Sequence, residues 1–394
     1  MRSFQLLYLA IFIGFYFITG LGAYLNLRRL NNSKIFLLLF SGYSVLFIFL
    51  FIFLYIYPNQ PREAENYLTY FYFNAFLFID LTIKIILSLF FIIGVFFRKK
   101  KIISYAGLIL VIGLGINMLY GLSFGKNKIK ICRQELVFES LPASFNNFKI
   151  VQISDAHLGS LRKSNKLLFR TEEKVNNINP DLILFTGDLV NNFSEETKGW
   201  EEVFNRINSQ TPCFSILGNH DYGDYATWPN EGKKEDNFED VVKANSILGF
   251  DLLRNENKTI YKGKDSIFIV GVENWGFPPF PQYANLEKAS KNIPKDAFKI
   301  LMTHDPAHWE SVVKETRDYQ LTLSGHTHGM QWGLKLAGIP FSLAYLTRKT
   351  WGGLYQQGNT FLYVNTGLGT VGIPWRIDMP AEITVFTLKS AKIN

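Results

Sequence analysis

Gly218-Asn219-His220-Asp221 follows the apolar run Phe214-Ser215-Ile216-Leu217, and the same arrangement recurs at four other places. Phe148-Lys149-Ile150-Val151-Gln152-Ile153-Ser154 runs into Asp155-Ala156-His157, and Asp181-Leu182-Ile183-Leu184-Phe185-Thr186 runs into Gly187-Asp188. Phe298-Lys299-Ile300-Leu301-Met302 runs into Thr303-His304-Asp305, and Leu321-Thr322-Leu323-Ser324 runs into Gly325-His326-Thr327-His328. Runs of this length, rich in β-branched and aromatic residues, read as buried strands. Polar residues gathered where strands end are how open α/β sheets hold their ligands. The chain has six histidines; five lie in these segments, and the sixth, His308, lies four residues after His304. Any one segment alone is adequately explained by a core histidine or a capping aspartate. All five together are not.

The residue types are those of a metal centre. Imidazole nitrogen and carboxylate oxygen suit zinc, manganese or iron, and no thiolate belongs to the set. Asp155, His157, Asp188, Asn219, His304, His326 and His328 are too many ligands for one tetrahedral ion. They suffice for two ions bridged by one carboxylate, an arrangement that clamps a phosphoryl group and generates hydroxide at neutral pH.

In their order, D-x-H, G-D, G-N-H-D, a lone His and G-H-x-H, these segments resemble the calcineurin-like metallophosphoesterases, with no substitution in any of the five. The resemblance covers Phe148 to the C-terminus and implies a four-layer αββα sandwich. It also implies roles. Asp155, His157, Asp188 and His328 would hold one divalent ion; Asp188, Asn219, His304 and His326 would hold the other, with Asp188 bridging. His220 would act on the phosphate as general acid or transition-state stabiliser, and Asp221 would orient it. Gly218–Gly223 and Gly325–Gln331 look most like the membrane-linked bacterial phosphodiesterase branch, and with the membrane anchor and apolar inserts described below the expected phosphate-ester substrate is an amphiphilic phosphodiester or pyrophosphate. Enzymes acting on UDP-2,3-diacylglucosamine in lipid A synthesis are an alternative within the family. A non-catalytic membrane receptor for a phosphorylated ligand is an alternative outside it.

The chain before this domain is of another kind. Phe4–Leu27, Ile35–Tyr57 and Ile102–Leu122 carry no charge, and Tyr67–Phe97 carries only Asp80 and Lys84. Each reaches the ~20 residues that span a bilayer. The reading is therefore a four-helix transmembrane region (1–125), a connector (126–147) and the α/β catalytic domain (148–394). The first and third loops hold Arg28, Arg29 and Lys34, and Arg98 to Lys101; the second loop, 58–66, holds one Arg and two Glu. The positive-inside rule places the basic loops in the cytoplasm and the catalytic domain outside an inner or cell membrane. Lys126, Lys128, Lys130 and Arg133 argue the other way. Asp80 and Lys84, four residues apart on one helix face, read as a neutralising pair that holds the bundle.

Residues 1–125 carry a net charge of +7 and the remainder +1, so the overall basicity belongs to the membrane region and gives no support to nucleic-acid binding. Cys132 and Cys213 alone imply no disulfide framework. Helices are expected over 164–177, 195–208, 237–248, 283–291 and 307–314, and an edge strand over 136–138. Later strands are expected over 259–261, 266–272, 361–365 and 382–388. Two apolar inserts stand out, 275–281 and 332–351. Lipid contact and ordinary packing onto the sandwich explain them equally well.

Overall fold

The computed structural model describes residues 2–56, 64–162, 166–207, 211–276, 281–336 and 339–393. The chain forms two units, one built mainly from the N-terminal apolar helices and one mainly from Ser123 onward. The first contains α1 (Arg2–Leu30), α2 (Lys34–Ile56), α3 (Ala64–Val95) and α4 (Lys100–Ser123). All four are long and apolar enough to cross a membrane. Their outward faces carry exposed side chains such as Ile18, Leu38, Ile109 and Ile116, as a lipid-facing surface does. Asp80 and Lys84 of α3 are buried and paired at 2.7 Å. Tyr16 of α1 donates to Asp80 Oδ2 at 2.7 Å and accepts from the Lys84 ammonium. The pair thus neutralises itself and ties α1 to α3, where an unpaired charge would be costly. Most of the second loop lies outside the described residues.

The second unit opens with β1 (Ile129–Phe138), which begins within the expected connector and runs parallel to β14 (Ala381–Ser390) at the edge of a sheet. Between them come β2 (Phe148–Ile153), α5 (Leu167–Ile178), β3 (Leu182–Phe185), α6 (Glu201–Ile207), β4 (Cys213–Ser215), α7 (Glu231–Ile247) and β5 (Asp251–Leu252). These are followed by β6 (Glu256–Lys262), β7 (Asp265–Gly271), α8 (Leu286–Ala289), β8 (Lys299–Met302), α9 (Lys314–Thr316) and β9 (Leu321–Ser324). A hairpin of β10 (Gly333–Leu336) and β11 (Ile339–Ser342) precedes β12 (Gly353–Gln357) and β13 (Thr360–Val364).

Two six-stranded sheets result, β1-β14-β2-β3-β4-β5 and β12-β13-β9-β8-β7-β6. Strand alternation builds the layers. In β3, Leu182 and Leu184 join Ile267, Ile269, Ile300 and Met302 of the other sheet in the core between sheets. Ile183 and Phe185 turn the opposite way, onto Leu168 and Val175 of α5, Val203 and Phe204 of α6 and Val241 of α7. On the second sheet Val270, Leu301 and Leu362 pack under Trp309, Val313 and Ala289. This is the four-layer αββα sandwich that the family resemblance implied.

Several helix boundaries differ from expectation. The 195–208 helix is broken: residues 194–197 form a tight turn, Gly199 takes φ +81°, and α6 starts only at Glu201. Helix α7 starts six residues before Asn237, because Asn230 caps it by accepting Lys233 N at 2.9 Å. The 283–291 helix shrinks to α8, and 307–314 is largely a wide π-turn over Trp309–Val313.

Candidate metal centre

Strands β2, β3 and β4 run parallel in one sheet, and β8 and β9 run parallel in the other. The five polar segments leave their C-terminal ends, so seven side chains from five loops meet at one edge of the sandwich. Asp155, His157 and His328 bring ligand atoms within 4.8 Å of one another, and Asp188, His304 and His326 do the same. Asp188 Oδ2 stands 3.5 Å from His157 Nε2 and 3.1 Å from His304 Nε2, between the two sets. Asn219 Oδ1 joins the second set, 2.7 Å from His326 Nδ1 and 3.1 Å from His304 Nε2.

The donor chemistry fits cations. His157 Nε2 and His328 Nε2 face each other at 3.0 Å, with Asp155 Oδ1 3.3 Å from the latter. Two imidazole lone pairs and a carboxylate converge favourably only on a proton or a metal. Burial pushes His157 well below the ordinary histidine range, and His326 down to about 4, which keeps both rings neutral as ligation requires. Burial also opposes charge on Asp188, but His304, His220 and His157 together hold its carboxyl well below the usual range. Burial likewise disfavours a charged His304, yet Asp188 and Asp155 lift it to about 10.

The backbone at these positions is unusual. Asp155, His157, Asp188, His326 and His328 all have φ between +42° and +72°. Asp and His tolerate the left-handed region better than most residues, though not freely. Two motif glycines have a steric reason. A Cβ on Gly218 would collide with the Asp188 carboxylate, and one on Gly325 would collide with Ser154 and Asp155.

One expected role is corrected. The Asp221 carboxylate does not reach His220. It accepts four backbone N–H groups: Gly218 at 2.8 Å, Leu189 at 2.9 Å, Asp188 at 3.0 Å and Val190 at 3.2 Å. It therefore pins the turn that carries Asp188. The His220 ring is held instead by Nδ1 on the Asn191 carbonyl at 2.7 Å and by stacking on Tyr225 at 4.4 Å.

Several supporting residues carried no motif. Tyr225 accepts from Asn219 Nδ2 at 2.9 Å, which turns Oδ1 toward the histidines. The fully buried Arg376 donates to the carbonyls of Thr366, Gly367 and Gly369 and lies 3.3 Å from His328 Nδ1. An arginine inside the apolar stretch Ile373-Pro374-Trp375-Arg376-Ile377 was the available signal. Buried Glu196 accepts Gly159 N, Asn192 N and Phe193 N, at 2.9, 3.1 and 3.1 Å, and also Asn191 N, tying two loops of the site together. Arg348 pairs with Asp305 and lies 3.2 Å from His326 Nε2. His308 is not among the converging side chains; it stacks on Trp275 at 4.4 Å.

The family model for calcineurin-like phosphoesterases matches residues 148–330. The metallophosphoesterase YkuE of Bacillus subtilis is 34% identical over 263 residues, which are 64% of this chain and 82% of that one. This chain belongs to the calcineurin-like metallophosphoesterases. Members of that family hydrolyse phosphate esters with divalent metals, and this one is such a hydrolase. A transmembrane protein with metallophosphoesterase domain from Danio rerio is 29% identical over 69% of this chain and 60% of its own length. The UDP-2,3-diacylglucosamine pyrophosphatase LpxG of Chlamydia trachomatis is 26% identical over 62% of this chain and 84% of that protein.

Proposed function

We propose that this metallophosphoesterase is a membrane-anchored, dinuclear enzyme that hydrolyses a phosphodiester or pyrophosphate borne by a lipid. The observation that carries this reading is the convergence of two ligand sets on Asp188. A donor set of nitrogen and oxygen alone suits manganese, zinc or iron. Bound there, two such ions would neutralise phosphoryl oxygens and lower the pKa of an attacking water.

The chain's own residues orient and move the proton. Asp155, His157, Asp188 and His328 hold one site; Asp188, Asn219, His304 and His326 hold the other. His220 commits Nδ1 to the Asn191 carbonyl, so Nε2 is the nitrogen left to meet the leaving oxygen. Burial lowers its pKa, while the Asp188 carboxylate and the Asn191 carbonyl favour the charged ring. Negative charge growing on the departing oxygen favours it further, so Nε2 acts as proton donor. Asp221 is a positioning residue in this scheme.

The basic first and third loops favour a catalytic unit outside the cytoplasm. LpxG relatives act, by name, on UDP-2,3-diacylglucosamine. A substrate of that class is the finer alternative, and it would call for a cytoplasmic site. A receptor that binds phosphate without turnover has no use for a proton donor held as His220 is.

Purified full chain, loaded with Mn²⁺ or Zn²⁺, should hydrolyse a soluble aryl phosphodiester and, with lower KM, a lipid-linked phosphodiester or pyrophosphate. Asp188→Asn should lose both ions and activity. His220→Ala should keep both ions and lose rate by roughly 10²–10⁴. Two tightly bound ions without turnover of any ester would make the protein a receptor.

A further inference from the structure

The segment that follows His328 carries an exposed apolar surface that the hydrolytic chemistry does not use. Leu334 on β10, Phe341 on β11 and the turn 343–346 belong to it, with Leu343, Tyr345 and Leu346 41%, 63% and 74% exposed. Single exposed hydrophobics need no explanation, but a cluster on one short insert does. Residues 332–351 contain Lys335, Arg348 and Lys349 and no acid.

The insert is fastened to the metal loop at several points. Ser342 Oγ donates to the Gly329 carbonyl, and Thr327 Oγ1 donates to the Trp351 carbonyl. Gly333 N donates to the Ile377 carbonyl at 2.8 Å, and Arg348 reaches Asp305 and His326. Whatever the apolar turn engages is therefore held near His326 and His328.

From this we infer that residues 341–349 form a membrane-dipping element. Leu343, Tyr345 and Leu346 enter the interfacial region of an anionic lipid surface, and exposed Lys349 meets its headgroup phosphates. A lipid surface is favoured over a protein for two reasons. The insert has the all-cationic, apolar composition of interfacial segments. The same chain also carries four helices able to span a bilayer, and only residues 124–128 separate the last from β1. The inference rests on the proposed reaction only in making that lipid the source of substrate: the insert would bring a headgroup phosphate to the ions while its chains stay in the bilayer.

The test uses the full chain in nanodiscs of phosphatidylcholine and phosphatidylglycerol. Leu346→Cys and, separately, Tyr345→Cys are labelled with an environment-sensitive fluorophore; native Cys132 and Cys213 are buried. Tyr261→Cys, at a residue 76% exposed on β6, serves as the aqueous control. Labels at 345 and 346 should be quenched by doxyl lipids and shielded from iodide, more so as phosphatidylglycerol rises. The label at 261 should respond to iodide alone. Iodide access at 345 and 346 equal to that at 261 overturns the inference. Shielding from iodide without doxyl quenching also overturns it, because a protein would then cover the patch. Hydrolysis of a soluble aryl phosphodiester by the unlabelled chain is read separately. Its absence alongside intact doxyl quenching would sink the proposed reaction and leave the lipid surface standing.

Discussion

Asp221→Asn separates two ways in which this residue could serve the site. The carboxylate is buried and accepts two N–H groups on each oxygen: Leu189 and Val190 on Oδ1, Gly218 and Asp188 on Oδ2. An amide can preserve one oxygen's pair of bonds. Its NH₂ must then face the other two N–H donors, so those bonds are lost. Burial and the neighbouring Asp188 charge push the Asp221 carboxyl up to about 7, so above that pH, where it is charged, its hydrogen bonds contribute about 1.5–3 kcal/mol each and two are worth roughly 3–6 kcal/mol. The loss falls on the turns that carry Asp188 and Asn219, which position ligands for both ions. If half of the upper figure reaches the bound state, metal affinity drops about a hundredfold, at ~1.4 kcal/mol per decade. The assay is metal content by elemental analysis across a chelator-buffered Mn²⁺ or Zn²⁺ series, followed by turnover at saturating metal. The expected result is weakened binding of both ions, with much of the rate recovered in excess metal. Wild-type affinity together with a lost rate would refute this reasoning and return Asp221 to the service of His220.

Other expectations concern pH, topology and metal removal. Burial lowers the His308 pKa from 6.5 to about 4, against the pull of Asp305. The neutral ring's contribution, about 3 kcal/mol, is complete above pH 6.5 and lost as pH falls through 4. Unfolding free energies of wild type and His308→Phe should therefore converge over that window; parallel curves would mean that His308 titrates normally. A reporter fused after Asn394 should read as outside and one in the 98–101 loop as cytoplasmic, while the reverse pattern would favour the nucleotide-linked substrate. Chelation should leave far-UV and near-UV circular dichroism unchanged at 25 °C, with a melting temperature that depends on metal concentration. Loss of the folded signal on chelation would show that the ions, not the chain, assemble the site.

The site was legible where its information is local. In each polar segment a short apolar run delivers ligands within a few residues of a strand end, so Asp155, Asp188, Asn219, His304 and His326 could be read from spacing and residue type alone. The same runs gave an α/β class, and the two-sheet sandwich came from the family resemblance. What escaped depends on contacts distant in sequence. Arg376 reaches His328 across 48 positions, and Glu196 reaches Gly159 across 37. The role of Asp221 was misread because its neighbour His220 was the obvious local partner, whereas three of its four bonds go to Asp188, Leu189 and Val190, more than thirty residues back. The 195–208 helix failed for a related reason: Glu196 turns its carboxylate onto loop amides instead of continuing a helical face. Of the two inserts, residues 277–280 lie outside the described residues, and the side chain of Leu336 does too.

Buried carboxylates divide the work at this centre between holding cations and holding backbone. Asp155 and Asp188 face the histidines, yet each also accepts a main-chain amide from another ligand segment. His326 N donates to Asp155 Oδ1 at 3.0 Å, and His220 N donates to Asp188 Oδ1 at 2.9 Å. Asp221 and Glu196 accept main-chain amides, four each. The left-handed backbone at five ligand positions costs free energy at each. A loop bearing that strain would relax unless its N–H groups were fixed by strong acceptors, and a carboxylate bond is roughly twice as strong as a neutral one. The amide-facing carboxylates therefore fix the loops that carry His157, Asp188 and Asn219 on the first sheet, and the His326 N–H on Asp155 links them to the second. They also couple Gly187-Asp188 to Gly218–Asp221 in this chain: the glycine at 218 leaves room for the Asp188 carboxylate, and the aspartate at 221 holds the turn from which that carboxylate projects.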